Sequence, residues 1–318
     1  MVALPQSKNL TIEAIERAIV ENNKKEIGRG YIGGSSIGHA CERHLWYRFR
    51  KAHEPEEFSG RMLRLFDTGH VEEARMVAWL KIAGITVAEV NPETGEQWEV
   101  SAVDGHFKGH ADGILEGVKE APATKHLLEC KTHNAKSFEQ LKRNGVAVAK
   151  PEHVAQMQGY MHLLGLTRAF YLAKNKDNDE LYSERIHYDP AQGASLIAKA
   201  ERIKEAHIAP SRISDDPAYY LCKAFKCPSY SICHDSAFAL RNCRTCLHSS
   251  PINNGQWYCQ RHERELTIED QESDCPCHLY LPSLVPGEQI DVCSRFETVT
   301  YRLRNGSEWI DGGESCVA

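Results

Sequence analysis

The sequence has no long apolar run. Nothing in it approaches the roughly 18–20 consecutive apolar residues that a bilayer-crossing helix needs. Met1 to Leu10 has no basic stretch leading into an apolar core, so no secretory signal is read and a cytoplasmic protein is expected. Charge of one sign is also scarce. A formal net charge of −6 over 318 residues argues against coating nucleic acid by bulk electrostatics, while leaving room for a local basic groove. No Walker A pattern occurs, which removes an intrinsic ATP-driven motor. No serine-nucleophile elbow is read, and Cys130 has no base at motif spacing.

Cysteine, in contrast, is plentiful: twelve residues, ten of them at or beyond Cys222. In a reducing compartment these are poor disulfide candidates and better metal candidates. The composition turns rich in Pro, Ser, Asn and His after about residue 215. We therefore expect a core with N-terminal helices over 1–215, a cysteine segment over 216–240, and a second metal-binding module with a C-terminal hairpin over 241–318. Apolar spacing predicts helices over 9–30 (capped by Thr11), from Ser36 or Ile37 to Tyr47, over 61–84, from Pro151 to Gly165 and over 191–207. Strands are predicted over 85–90, 98–103, 107–115, 125–131 and 168–173, with Asp104-Gly105 as a turn. Asn305-Gly306 predicts a type I′ hairpin in the tail.

The chemistry concentrates in FKGHADGIL and HLLECKTH. On a strand, residues i and i+2 share a face, so Glu129 and Lys131 point one way and Cys130 points into the core. Antiparallel pairing would bring Asp112 beside Glu129. Two carboxylates suit one or two Mg²⁺ or Mn²⁺ ions, which prefer oxygen ligands. A neighbouring lysine can orient or deprotonate the attacking water. Upstream, His70 and Glu73 lie one helical turn apart; downstream, Gln156 and Tyr160 share a helical face.

Taken in order, Gly69-His70-x-x-Glu73, Gly109-x-x-Asp112, Glu129-x-Lys131 and Gln156-x-x-x-Tyr160 resemble the RecB-like and lambda-exonuclease-like branch of the PD-(D/E)XK nuclease superfamily. The resemblance covers residues 31–185. It implies an α/β fold with a restriction-endonuclease-like core, a mixed sheet flanked by helices. It further implies Asp112 and Glu129 as metal ligands, His70 as another, and Lys131 as the water-activating group. Gln156 and Tyr160 would orient site and substrate, and Cys130 would offer a backbone carbonyl to the metal.

Two cysteine groups remain. Cys222, Cys227 and Cys233 form a tight triplet, with Cys41 far upstream. Iron–sulfur clusters usually take four Cys ligands, and this split resembles the iron–sulfur nucleases of the AddB and CRISPR-adaptation type. A [4Fe–4S] cluster on these four residues is expected, with zinc as the alternative. The second group is Cys243-x2-Cys246, then Cys259, His262, Cys275, Cys277 and His278. A structural zinc wants four N or S ligands. The first choice is Cys243, Cys246, Cys259 and Cys275; His278 as part of a second knuckle is the rival, and Cys277 and His262 are expected as spectators. Cys293 and Cys316 are expected as free thiols. This segment also resembles a C-terminal extension of some phage-encoded nucleases, which implies a phage origin and the host cytoplasm.

The resemblance implies a deoxyribonuclease, by preference an exonuclease, with DNA ends and recombination, repair or replication proteins as partners. Arg43, Tyr47 and Arg48 are read as strand guides by charge and stacking; Trp46 could join them, but a core position is its first reading. Glu152, His153 and Lys136 are read first as solvated surface, with a place along the DNA path as the alternative. The alternative function is a non-catalytic DNA-binding or assembly factor, and RNA is a third substrate class.

Overall fold

The computed structural model describes residues 9–24, 29–223 and 225–313. Helix α1 (Leu10–Asn23) is capped by Asn9, whose side chain accepts from the Ile12 amide, rather than by Thr11. Part of its expected extent, 25–28, lies outside the described residues, as does Cys316. There follow β1 (Ile32–Gly33), α2 (Glu42–Phe49), α3 (Gly60–Ile82), β2 (Thr86–Ala88), β3 (Glu99–Ala102), β4 (Phe107–His110), β5 (Gly113–Glu116) and β6 (His126–His133). Next come α4 (Ala135–Ala149), α5 (Pro151–Leu164), β7 (Arg168–Asn175), β8 (Leu181–His187) and α6 (Pro190–Glu205).

Five strands form the central sheet in the order β2-β5-β6-β7-β8. Only β6 and β7 run parallel within it, joined through α4 and α5. The fold is therefore mixed α/β. Alternation along the strands feeds two cores. Leu127, Ala169, Tyr171 and Ala173 pack with Phe138, Leu141, Met157 and Met161 of α4 and α5. Leu128, Cys130, Phe170 and Leu172 pack with Met76, Val77 and Leu80 of α3.

Three differences from the sequence expectation bear on the site. The single strand over 107–115 is two strands: β4 pairs with β1 and β3 in a small sheet, and β5 joins the central one. Gly113, at φ +153°, sits at the break, and Asp112 is left between the strands. Helix α2 begins at Glu42, not near Ser36, because 33–40 turns against the start of α5. A Cβ on Gly38 would stand 2.8 Å from the Cβ of Ala155 and from Cα of Glu152. Helix α4 and strand β8 have no counterpart in the sequence reading; α4 is interrupted by Gly145 at φ +72°.

The C-terminal third holds α7 (Tyr230–Cys233), β9 (Ser249–Pro251), β10 (Trp257–Cys259), β11 (Arg264–Leu266), α8 (Ile268–Glu272), β12 (Gly287–Cys293), β13 (Thr298–Leu303) and β14 (Glu308–Gly312). Its strands make two three-stranded antiparallel sheets. Their inner residues Trp257, Leu266, Val299 and Tyr301 share one core with Trp46 and Phe49 of α2 and with Leu196 and Ile203 of α6. The tail hairpin forms at Asn305-Gly306, but only Gly306 has positive φ, +87°. The Gly306 amide donates to Leu303 O at 2.8 Å, so the loop is a type I turn followed by a left-handed glycine, not type I′. Among the described residues, no helix is long and apolar enough to cross a membrane.

Candidate active site

Strand register assembles the first part of the site. Gly113 pairs with Leu128, which sets Asp112 opposite Glu129, and Oδ2 of Asp112 accepts from the Cys130 amide at 2.7 Å. Glu129 and Lys131 share the face covered by α5, and the Lys131 amino group donates to Oε1 of Glu129. Helix α5 supplies Gln156, whose Nε2 donates to Oε2 of Glu129 at 3.1 Å. Thus Glu129, wholly buried, has a partner on each oxygen. Cys130 turns its side chain into the core beneath α3, where burial raises its thiol well above the ordinary range.

Tyr160, one turn beyond Gln156, is buried, and its ring lies against Gly34 and Gly109 so closely that a Cβ at either would overlap it. Burial first, then the charge of Glu129, raises its phenol. The two glycines belong to segments pinned side by side: the Gly34 amide donates to Lys108 O at 2.9 Å.

Helix α3 brings a residue the sequence reading named only as part of a motif. The Glu73 carboxyl faces Asp112 and Lys131, and its pKa is raised to about 7, by burial first and then by Asp112, against the pull of Lys131. His70 lies one turn earlier on α3 and is exposed. The Gly69-His70-x-x-Glu73 spacing was the available signal for Glu73. Asp112 is raised by burial, opposed by Lys131. Glu129 is raised by burial and by Asp112 and Glu73, again against Lys131. Burial favours a neutral Lys131, but Glu129 and Asp112 outweigh it and hold the ammonium above its usual range. With Glu73, Asp112 and Glu129 ionised, Lys131 compensates one charge of the three. Oxygen donors with excess negative charge fit a hard divalent cation.

A second network stands behind the site. Tyr171 pairs with Glu129 across β6 and β7, and its hydroxyl lies 2.9 Å from Nε2 of His133 and 2.9 Å from Nδ1 of His153. Nδ1 of His133 in turn lies 3.1 Å from Ser137 Oγ. Burial, with nearby cations adding, lowers His133 to about 4 and His153 to about 3. His153 is therefore a half-buried network member rather than solvated surface, whereas Glu152 and Lys136 are exposed. His133, i+2 from Lys131 on one strand face, could have been found by alternation; Tyr171 needed the parallel register.

Two expectations are corrected. Tyr47 does not guide a strand, being 1% exposed, while Trp46 takes the core position expected of it, 0% exposed with Nε1 donating to Ala206 O at 2.9 Å. Arg43 donates to Tyr47 and to Pro210 O, and Arg48 is exposed, 3.7 Å from Glu56. The absence of a serine elbow also needs amending, since Gly34-Ser35-Ser36-Ile37-Gly38 fits the Gly-x-Ser-x-Gly spacing. Ser36, however, donates to Gly33 O at 2.9 Å within a run of turns, and no helix follows it directly as an elbow requires.

The first cysteine group converges. Cys41 caps α2, its Sγ accepting from the His44 amide at 3.4 Å. With Cys222, Cys227 and Cys233 it lines one cavity, shared with Arg43 and Arg212. Burial raises Cys227 to about 11, with Cys41, Cys233 and Cys222 adding. The second group lies around the 3₁₀ turn Cys243–Thr245. Burial first, then the neighbouring Cys246, Cys275 and Cys259, pushes the Cys243 thiol up to about 12. Among the described residues, the ligand atoms of His262, Cys275 and Cys277 already lie within 4.8 Å of one another, so the two expected spectators sit beside Cys275. His278 is buried 3.1 Å from Thr245 Oγ1 instead. Cys293 is a free thiol.

No family model matches the sequence, and no curated protein matches it either. Solved structures give low-level likenesses. The alkaline exonuclease LHK-Exo from Laribacter hongkongensis is 18% identical at a TM-score of 0.39, over 60% of this chain and 90% of that one. The same enzyme with dAMP gives 15% identity and a TM-score of 0.37 over the same shares. A protein designated SSO0001 is 15% identical at a TM-score of 0.41, over 70% of this chain and 96% of that one.

Proposed function

We propose that the protein is a divalent-metal-dependent nuclease that hydrolyses phosphodiester bonds in DNA, acting from an end. The observation that carries this reading is the convergence of Glu73, Asp112 and Glu129 on a single ammonium, Lys131. Those carboxylates would hold Mg²⁺ or Mn²⁺, with the Cys130 carbonyl and His70 as further donors. A bound ion of this kind lowers the pKa of a coordinated water and offsets charge on the scissile phosphate.

The chain's own groups have distinct tasks in this reading. Lys131 holds the attacking water by hydrogen bonding and stabilises the negative charge that develops there. Gln156 locks the Glu129 carboxylate in one rotamer. Tyr160 walls the site and fixes the Gly34 and Gly109 segments on either side. His153, tied to Tyr171, holds the first turn of α5 against β7.

The four thiols of Cys41, Cys222, Cys227 and Cys233 are assigned to a [4Fe–4S] cluster. Support comes from their shared cavity and its two guanidinium groups, which suit the negative charge of a thiolate-bound cluster. It would clip α2 to the segment after α6. Anaerobically purified protein should be brown with about four irons per chain, as a four-Cys cluster requires; colourless, zinc-only protein would eliminate it.

The test of the activity is cleavage of end-labelled DNA with Mg²⁺ or Mn²⁺, run beside matched RNA. Lys131→Ala and Asp112→Ala should abolish it while the circular dichroism spectrum is unchanged. Undiminished cleavage by both variants would overturn the site. Binding without cleavage across metals and end structures would instead favour an assembly factor.

A further inference from the structure

We propose that the buried ion pair of Glu72 and Lys174 is the anchor that seats the Glu73 turn of α3 on the central sheet. It thereby sets the affinity of the carboxylate site for its divalent cation. The proposal rests on the reading of that site as a metal centre and names the residues that position it.

Helix α3 is attached unevenly. Its C-terminal half buries Met76, Val77 and Leu80 among Leu128, Cys130, Phe170 and Leu172 of the sheet. At the other end Gly60 is buried, but against Glu16 of α1, and Arg64 pairs with the same Glu16 at 2.6 Å. Between Gly60 and Met76 the one buried side chain is that of Glu72. His70 and Val71 beside it are exposed. The turn that carries Glu73 therefore has no apolar grip on the sheet.

Its grip is ionic and directional. Lys174 lies two residues beyond Leu172 on β7, hence on the face that α3 covers, opposite Thr132 of β6. Its amino group donates to Oε2 of Glu72 at 2.8 Å, and Arg75 donates to Oε1 at 2.8 Å. Glu72 and Lys174 are 6% and 5% exposed. The Trp79 ring, two turns further along α3, lies 5.9 Å from the same ammonium. Asp179, 77% exposed, reaches it from the solvent side at 2.5 Å.

Glu72 thus has a cation on each oxygen and is fully engaged in the anchor. The next residue, Glu73, points about 100° further round the helix, towards Asp112 and Lys131. An apolar contact lets a helix roll or slide, whereas a charge-assisted hydrogen bond adds geometric specificity. Fixing the rotation of α3 at Glu72 fixes where the Glu73 carboxylate stands relative to the strands.

The test is Mn²⁺ binding to the full chain, read from the electron spin resonance signal of the free ion. Lys174→Met and Glu72→Gln should each weaken binding by about 10–100-fold, the usual effect of losing a group that orients a metal ligand. Lys174→Arg, which keeps the cation, should recover most of it. Asp179→Asn, which removes only the exposed partner, should bind as the unaltered protein does. In DNA cleavage the Mn²⁺ concentration for half-maximal rate should rise in the first two variants while the saturated rate is retained. Because Lys174→Met can fail to fold, the isosteric Glu72→Gln decides in that case, with circular dichroism recorded on the same sample. Unchanged Mn²⁺ affinity in these variants would overturn the anchor and leave the carboxylate site standing. Equal weakening by Asp179→Asn would also overturn it, since the β7–β8 turn would then be the support. An unaltered protein that binds no Mn²⁺ would overturn the site and the anchor together.

Discussion

The carboxylate site and the cysteine-rich third solve the same problem, placing like-charged groups together, by opposite means. At the carboxylate site the backbone does the placing. Asp112, Glu129 and Lys131 are aligned by one antiparallel register, and the sheet is stiffened on both faces by apolar packing. In the C-terminal third the strands are short, and positions depend on side chains that cross between segments, Arg244, Asn242 and Trp257 above all. Regular structure supports a site that can be destroyed chemically without unfolding. A stapled region gives way as a unit.

The largest expected effect sharpens that contrast. Replacing Lys131 by Ala should abolish detectable cleavage, a loss of at least about 10²–10³-fold, the usual share of a positioned donor to developing negative charge, with the thermal midpoint little changed when Mg²⁺ is present. Gel-based rates and calorimetry on one sample would check both halves; a collapsed midpoint would show that the two regions do not differ as argued.

Next in size is core truncation. Trp257→Ala should cost about 3–5 kcal/mol and also release Arg50 and Arg244, which stack over its ring at 5.1 and 4.7 Å. Leu128→Ala, in the central sheet, should cost about 2–5 kcal/mol. Urea unfolding separates them: the tryptophan variant should lose cooperativity as the C-terminal third loosens first, and the leucine variant should keep a single transition.

A smaller effect concerns pH. His133 and His153 titrate at about 4 and about 3 in the folded chain, against an ordinary 6.5. Between those values the unfolded chain binds protons that the folded one does not, so stability falls as pH drops from 6.5 towards 4. His153→Gln should flatten that slope in urea titrations, and an unchanged slope would count against the buried network. Smallest is Gly306→Ala, which places a Cβ at φ +87° in the exposed tail hairpin. It should cost about 1–2 kcal/mol and leave cleavage untouched.

Several parts of this molecule are written locally. Alternation on HLLECKTH is enough to put Glu129 and Lys131 on one face and Cys130 on the other, because the strand period is two whatever the strand packs against. Pro151 and Gly165 bound α5 through their own backbone preferences. Helix α4, by contrast, escaped notice because Gly145 interrupts its period, and β8 because its apolar residues are few.

Residue order alone thus settled which groups are chemically available and which of them share a strand or helix face, since both follow from composition and short-range periodicity. Only the tertiary structure decided that Glu73 reaches Asp112 from a helix, that Tyr171 backs Glu129 from the adjacent strand, and that Cys41 meets cysteines from the far end of the chain. Those meetings depend on strand register and on helices packing across a shared core. Contacts between segments distant in sequence leave no periodic trace in either one.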